Sequence, residues 1–267
     1  MGKIMARHSI LPAMAAAALG LAAVGPSWAQ STLPQENAMR AAEQAVADKA
    51  RAAVEAAKTQ PRVGGYWRLA EPVTALKTAD GKTPPLTAAG RALLNTRVAA
   101  GKAGKTDDPM NVCLPPGTPR SVMIDKPFLI TQAAAKITFF HQVYHVIRHV
   151  YLDGPLKLED RDVLWEGHSS GRWEGGALII ESGDFNGQQW VDNTGLPQSP
   201  DMRVSERFKL MDANTLEDRI TFDDAKYYTA PWTARLLFKR QPSSTLLVEE
   251  DCAEKLLDFP MKPYAPD

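Results

Sequence analysis

From about residue 120 onward the apolar residues recur with a period of two, in short runs separated by turn residues. "FLITQA", "KITFFHQ", "VIRHVYL", "ALIIES", "VSERFKL", "LEDRITFDD", "ARLLFKR" and "TLLVEE" are β-type runs. "DG" at 153–154, "EGG" at 174–176, "DAN" at 212–214 and "QPSS" at 241–244 break them. A strand alternates its side chains between two faces, so each run buries one face only. Many such runs at short spacing predict an antiparallel sheet, closed as a barrel or folded as a sandwich.

The chain before this region reads differently. Residues 35–59, "QENAMRAAEQAVADKARAAVEAAKT", are strong helix formers with no Gly or Pro, which predicts a helix whose only apolar face is Ala and Val. A second helix is predicted over 86–101, with Gly101 as its stop. "NVCLPPGTPR" at 111–120 predicts an ordered loop. At the start, Lys3 and Arg7 precede an apolar stretch and the small residues Ser27 and Ala29. That is the pattern of a secretory signal peptide over 1–29. The expected organisation is therefore a signal peptide over 1–29, a helical arm over 30–62 and a β domain over 63–267, in a periplasmic or secreted protein.

No later stretch reaches 18 apolar residues, so no membrane span is expected after signal cleavage. Without Lys3 and Arg7 the remainder carries 29 basic and 31 acidic residues. That balance argues against a nucleic-acid partner. The two cysteines, Cys113 and Cys252, are expected to form a disulfide, because export and an even count go together.

Four of the five histidines, His141, His145, His149 and His168, fall within 28 residues. The β-branched residues between the first three favour strands over a helix. One continuous strand would point His141, His145 and His149 to one face; a hairpin near 142–145 would instead set His141 and His149 on adjacent strands. The spacing includes no HExxH and no His-x-His, so no metal and no cofactor are expected. A cluster offering acid, base and hydrogen-bond donor groups to a ligand is the preferred reading, with Arg148, Tyr144 and Tyr151 close by. A second polar constellation lies in 165–195. There His168, Ser169, Arg172, Glu174, Asp184, Asn186 and Asp192 are interleaved with Trp165, Trp173 and Trp190. It fits a small-molecule pocket, and equally a tight loop whose side chains satisfy the backbone.

"CLPPGTPR", "RHVYLDG", "GHSSGRWEGGALIIESGDFN", "VSERFKLMDANTLEDRITFDD" and "YYTAPWTA" resemble a family of exported bacterial β-barrel proteins, over residues 64–255. The resemblance implies a mainly β fold, an antiparallel lipocalin-like barrel. Typical members carry Asp where this chain has Gly176, and an acidic residue near His141; a histidine there implies a specialised substrate. The activity fitted to these residues is a cofactor-independent carbon–carbon lyase, or an isomerase, on a hydrophobic aromatic molecule. Release of formaldehyde from a lignin-derived aromatic dimer is one such reaction. The expected catalytic residues are His141, His149, Tyr144, Tyr151 and His168. Arg148, Arg172, Trp173, Glu174, Asp184, Asn186 and Trp190 are expected to bind substrate. Arg148 and Arg172 would hold a phenolate or carboxylate. The alternatives are a non-catalytic carrier with the same cavity and a structural protein of the cell envelope. A homo-oligomer is compatible with all three.

Overall fold

The computed structural model describes residues 33–152, 154, 162–248 and 252. The signal peptide expected over 1–29 lies outside them. The chain divides into two compact units, 1–48 and 49–267. The first contains the start of helix α1 (Leu33–Lys58), whose side chains are exposed over 35–52. This is the helix predicted over 35–59. No described helix is long and apolar enough to cross a membrane.

The second unit holds a closed barrel of nine strands, β1 (Gly65–Leu69), β2 (Phe128–Gln132), β3 (Lys136–His141), β4 (Ile147–Tyr151), β5 (His168–Glu174), β6 (Ala177–Gly183), β7 (Arg203–Asp212), β8 (Thr215–Asp223) and β9 (Trp232–Arg240). Each strand pairs with the next, and β9 closes on β1. The expected mainly β barrel is therefore present, with one correction: the sheet is not antiparallel throughout. A closed ring with an odd number of strands cannot alternate direction at every contact. The exception here is β4–β5, which runs parallel, with Val150 opposite Ser169.

Two further strand expectations need correction. "TLLVEE" is not a strand over 245–248, and 249–250 lie outside the described residues. Conversely β1 comes from "GGYWRL", outside the runs expected to be strands. β1 is short and its pairing partners are distant, Phe128–Ile130 and Phe238–Arg240. The second predicted helix is α2 (Ala88–Lys102), N-capped by the Thr87 hydroxyl, which accepts from the Gly90 N–H. It passes Gly101 by one residue. Within the predicted loop, a short 3-10 turn at Pro109–Val112 precedes α3 (Arg120–Met123), which is wholly buried.

Inward positions follow the period of two. On β6–β8 they are Leu178, Ile180 and Ser182, then Val204, Glu206 and Phe208, then Leu216, Asp218, Ile220 and Phe222. Phe128, Phe139, Phe208 and Phe238 form a chain of ring contacts through the interior, with centroids 5.3–6.5 Å apart. A barrel of about this strand number has an interior just wide enough to be filled by side chains or to hold one small ligand among them. "GHSSG" is explained by the architecture. A Cβ on Gly167, at φ +63°, would sit 2.4 Å from the Gly183 carbonyl oxygen, and one on Gly171 would sit 2.7 Å from Val150 Cγ1. Both glycines let β5 lie close against its neighbours.

Candidate functional site

Six polar side chains project into the barrel from six consecutive strands: His141 (β3), Arg148 (β4), Ser169 (β5), Ser182 (β6), Glu206 (β7) and Asp218 (β8). None is more than 6% exposed. Arg148 is the hub. Its Nε donates to the Ser169 hydroxyl (3.1 Å), Nη2 to the Ser182 hydroxyl (2.9 Å), and Nη1 and Nη2 grip the two oxygens of Glu206. Ser169 and Ser182 also bond each other at 2.8 Å. The guanidinium lies 5.5 Å from the centroid of Phe139. Burial works against its charge, but Glu206 outweighs burial and the Arg148 pKa is raised. Four of its five N–H groups are spent on protein partners, so Arg148 anchors the cluster and is not the free cation expected to hold an anionic ligand.

Asp218 is fully buried, and neither of its oxygens makes a hydrogen bond of normal geometry, the Arg207 backbone exerting only a lesser pull towards ionisation. Burial, then the neighbouring Glu206 charge, pushes its pKa well up against the pull of Arg148. Burying a carboxylate without partners is expensive, and the cost disfavours its charged form. Glu166 behaves similarly just before β5. Burial raises its pKa, while hydrogen bonds from the Ser121 and Thr118 hydroxyls, each 2.6 Å, oppose the rise.

His141 stacks on Phe128 (5.4 Å) and lies nearly parallel to Phe139 (6.4 Å, 8°). Its Nε2 is buried without a partner. Burial, then the Arg148 charge, lowers its pKa to about 3, so it is a neutral imidazole at physiological pH. The interior thus combines a neutral imidazole, a carboxyl that resists ionisation and a neutralised ion pair among aromatic rings. It leaves polar atoms of His141 and Asp218 unsatisfied, which buried groups rarely tolerate.

The two unpartnered groups tilt the pH dependence of stability in opposite directions. The histidine's folded pKa is depressed, so its contribution is complete above pH 6.5 and is lost as pH falls towards 3. Replacing it with phenylalanine should spare the protein roughly 2 kcal/mol of the loss between pH 6.5 and 4.5. The aspartate's folded pKa is raised, so its contribution is complete below the unfolded value of 3.8 and is lost as pH rises. Asp218→Asn should therefore stabilise the protein at pH 7 and lose that advantage by pH 3.5. Urea midpoints from pH 3.5 to 8 would show the opposite slopes; curves parallel to the unsubstituted protein would refute the burial of both groups.

The remaining expected site residues are dispersed. The hairpin near 142–145 exists, and Tyr144 (φ 56°) and His145 (φ 49°) turn the chain there in left-handed conformations. It puts His141 and His149 on adjacent strands but on opposite faces, because Arg148 and Val150 take the inward positions. His149 is exposed beside Thr138 (3.2 Å), with Tyr151 on the same outer face. The Tyr144 hydroxyl donates to the Met110 carbonyl at 2.7 Å. His168 Nε2 lies 3.0 Å from the Asp162 carbonyl, outside the barrel. Arg172 and Glu174 are paired with each other on the outer surface, where Arg172 also approaches Glu181. Trp173 packs partly buried against the core. Asp184, at φ 57°, approaches Arg203. Asn186 accepts from the Gln188 N–H in a turn. Trp190 is buried in a loop under the guanidinium groups of Arg97 and Arg120. Asp192 accepts backbone N–H bonds from Leu76, Thr194 and Leu196, so it organises loops.

The residues missed were Glu206, Asp218, Ser182 and Glu166. The first two carried a signal. Val204-x-Glu206-x-Phe208 and Leu216-x-Asp218-x-Ile220 each place a carboxylate in phase with buried apolar positions. Among the described residues, no group of three or more His, Cys, Asp and Glu side chains is arranged to hold a metal ion.

No protein-family model matches the chain, and no curated protein matches it. Among solved structures, an SAHS (abundant heat soluble) protein of Ramazzottius varieornatus is 12% identical, with a TM-score of 0.35, covering 68% of this chain and 98% of its own. A variant of the fluorescent protein UnaG is also 12% identical, with a TM-score of 0.33, covering 67% of this chain and 96% of its own. Likeness at these scores carries no weight here. The barrel is read from its own strand pairing.

Proposed function

We propose that the barrel interior takes up a small hydrophobic aromatic molecule and acts on it by cofactor-independent acid–base chemistry. The observation behind this reading is the pair of unpartnered buried groups, His141 Nε2 and the Asp218 carboxyl, in an aromatic interior. A ligand with hydroxyl groups would satisfy both. The reaction that suits them is the lyase step on a lignin-derived aromatic dimer. His141 takes the proton of a primary hydroxyl, whose oxygen forms the carbonyl of formaldehyde. The carbon–carbon bond to that carbon breaks, and its electrons form a double bond as the aryl ether oxygen on the next carbon departs. Asp218 returns a proton to that oxygen as a phenol. One proton is accepted and one donated, so the step balances without a cofactor.

A non-catalytic carrier is the second reading, and the low pKa of His141 favours it, because so weak a base abstracts a proton poorly. Incubation with a panel of aromatic dimers separates the two. The lyase releases formaldehyde and leaves a product lighter by about 30 mass units. The carrier binds without turnover. His141→Phe should lower turnover by about 10²–10⁴. A folded, fully active His141→Phe protein would remove His141 from the mechanism. Failure to bind any member of the panel would remove the interior site.

A further inference from the structure

The outer face of β7–β9 carries a charge pattern unrelated to the interior. Arg207 lies directly opposite Arg219, and Arg219 directly opposite Arg235. Neighbouring strands are about 4.8 Å apart, so the three Cα atoms form a row roughly 10 Å long. Like charges directly opposite one another destabilise a sheet. One acidic side chain, Glu217, lies among them. It is buried at 4% exposure and pairs with Arg219 (3.0 Å) and with Arg235. The two arginines remain 50% and 42% exposed. Arg207 has no side-chain partner among the described residues. Lys209 and Lys239 flank the row on the same face, against a chain whose basic and acidic residues are equal in number.

One step along the strands lies a second row, Ser205, Thr221 and Thr233, in which the two threonine hydroxyls are 2.8 Å apart and the Ser205 hydroxyl donates to Glu181 at 3.0 Å, which leaves the threonines as the sugar-facing hydroxyls. The face is thus a line of guanidinium forks beside a line of hydroxyls. No outward aromatic ring is present on β7–β9 to stack a nucleobase.

We propose that this face docks an acidic polysaccharide. The arginine row would bind successive sulfate, phosphate or carboxylate groups, and the hydroxyl row would meet the sugar hydroxyls between them. Guanidinium groups match such oxyanions through two parallel N–H bonds. The repulsion within the row is the stability sacrificed for that function.

The test uses the full chain and dextran sulfate, followed by calorimetry at about 50 mM salt and again at about 200 mM. Binding should weaken at least tenfold at the higher salt. Arg207→Glu should weaken it at least tenfold more, whereas Lys102→Glu, the same charge change on α2, should leave it unaltered. Arg207→Gln should weaken binding and at the same time raise the melting temperature, because it relieves the row. A merely solvated arginine would do neither. The proposal is overturned by no binding at low salt, by equal losses from Arg207→Glu and Lys102→Glu, or by tighter binding to a single-stranded oligonucleotide or to phosphatidylglycerol vesicles than to dextran sulfate.

Discussion

Arg148→Met is expected to destabilise the barrel by about 3–5 kcal/mol, the usual cost of leaving one member of a buried ion pair behind. The reason lies in what remains. Glu206 has no solvent exposure, and its two oxygens are held by the Arg148 guanidinium. Without Arg148, Glu206 would face Asp218, which already resists ionisation because of its burial and then the Glu206 charge. Ser169 and Ser182 would lose a donor but keep their mutual bond. For a domain stable by roughly 5–15 kcal/mol, such a loss is a large share. The paired replacement Arg148→Met with Glu206→Leu removes both charges, and should recover most of the loss or exceed the original stability. Urea unfolding of the single and double variants at pH 7 measures this. A double variant as unstable as the single would mean that the ion pair is not what holds this layer of the core. The same double variant bears on function: with the interior charges gone, Asp218 loses the neighbour that helps to keep it protonated.

The strands were legible where a single run carried its own alternation. β2, β3 and β4 lie within runs of period two, β6, β7, β8 and β9 outgrow theirs by one to three residues, and the Gly175–Gly176 turn marks the β5–β6 hairpin. What the sequence did not reveal depended on partners far away in the chain. β1 gains its hydrogen bonds from β2 and β9, and the parallel β4–β5 contact arises from closing an odd number of strands. The histidine cluster was misjudged for a local reason. Two successive residues in left-handed conformations, Tyr144 and His145, reset the alternation, so His149 points out and Arg148 points in. Glu206 and Asp218 are legible in the phase of β7 and β8, because a carboxylate in step with Val204, Phe208, Leu216 and Ile220 points inward. Glu166 had no such signal; its partners, Thr118 and Ser121, come from a loop and the short helix that follows it.

Loss of the Cys113–Cys252 bridge should be as damaging as loss of the ion pair. The two cysteines are bonded, with their Cα atoms 5.5 Å apart and a sequence separation of 139. Closing a loop of that length restricts the unfolded chain by about 5 kcal/mol in the chain-entropy model, and native bridges usually contribute about 2–4 kcal/mol when measured. Cys113 follows the 3-10 turn Pro109–Val112 in a left-handed conformation. The same stretch of chain goes on to Arg120, which is clamped by Asp108 and Asn193, and to Thr118 and Ser121, which hold Glu166. The bridge therefore ties Cys252 to the stretch of chain that positions Glu166. Cys113→Ser, Cys252→Ser and the double variant should all lower the urea midpoint by the same amount, because each removes the same bond. Reduction of the unsubstituted protein should match them, and amide exchange should rise first in residues 117–123. A midpoint unmoved by reduction would show that the crosslink closes a loop already closed by packing.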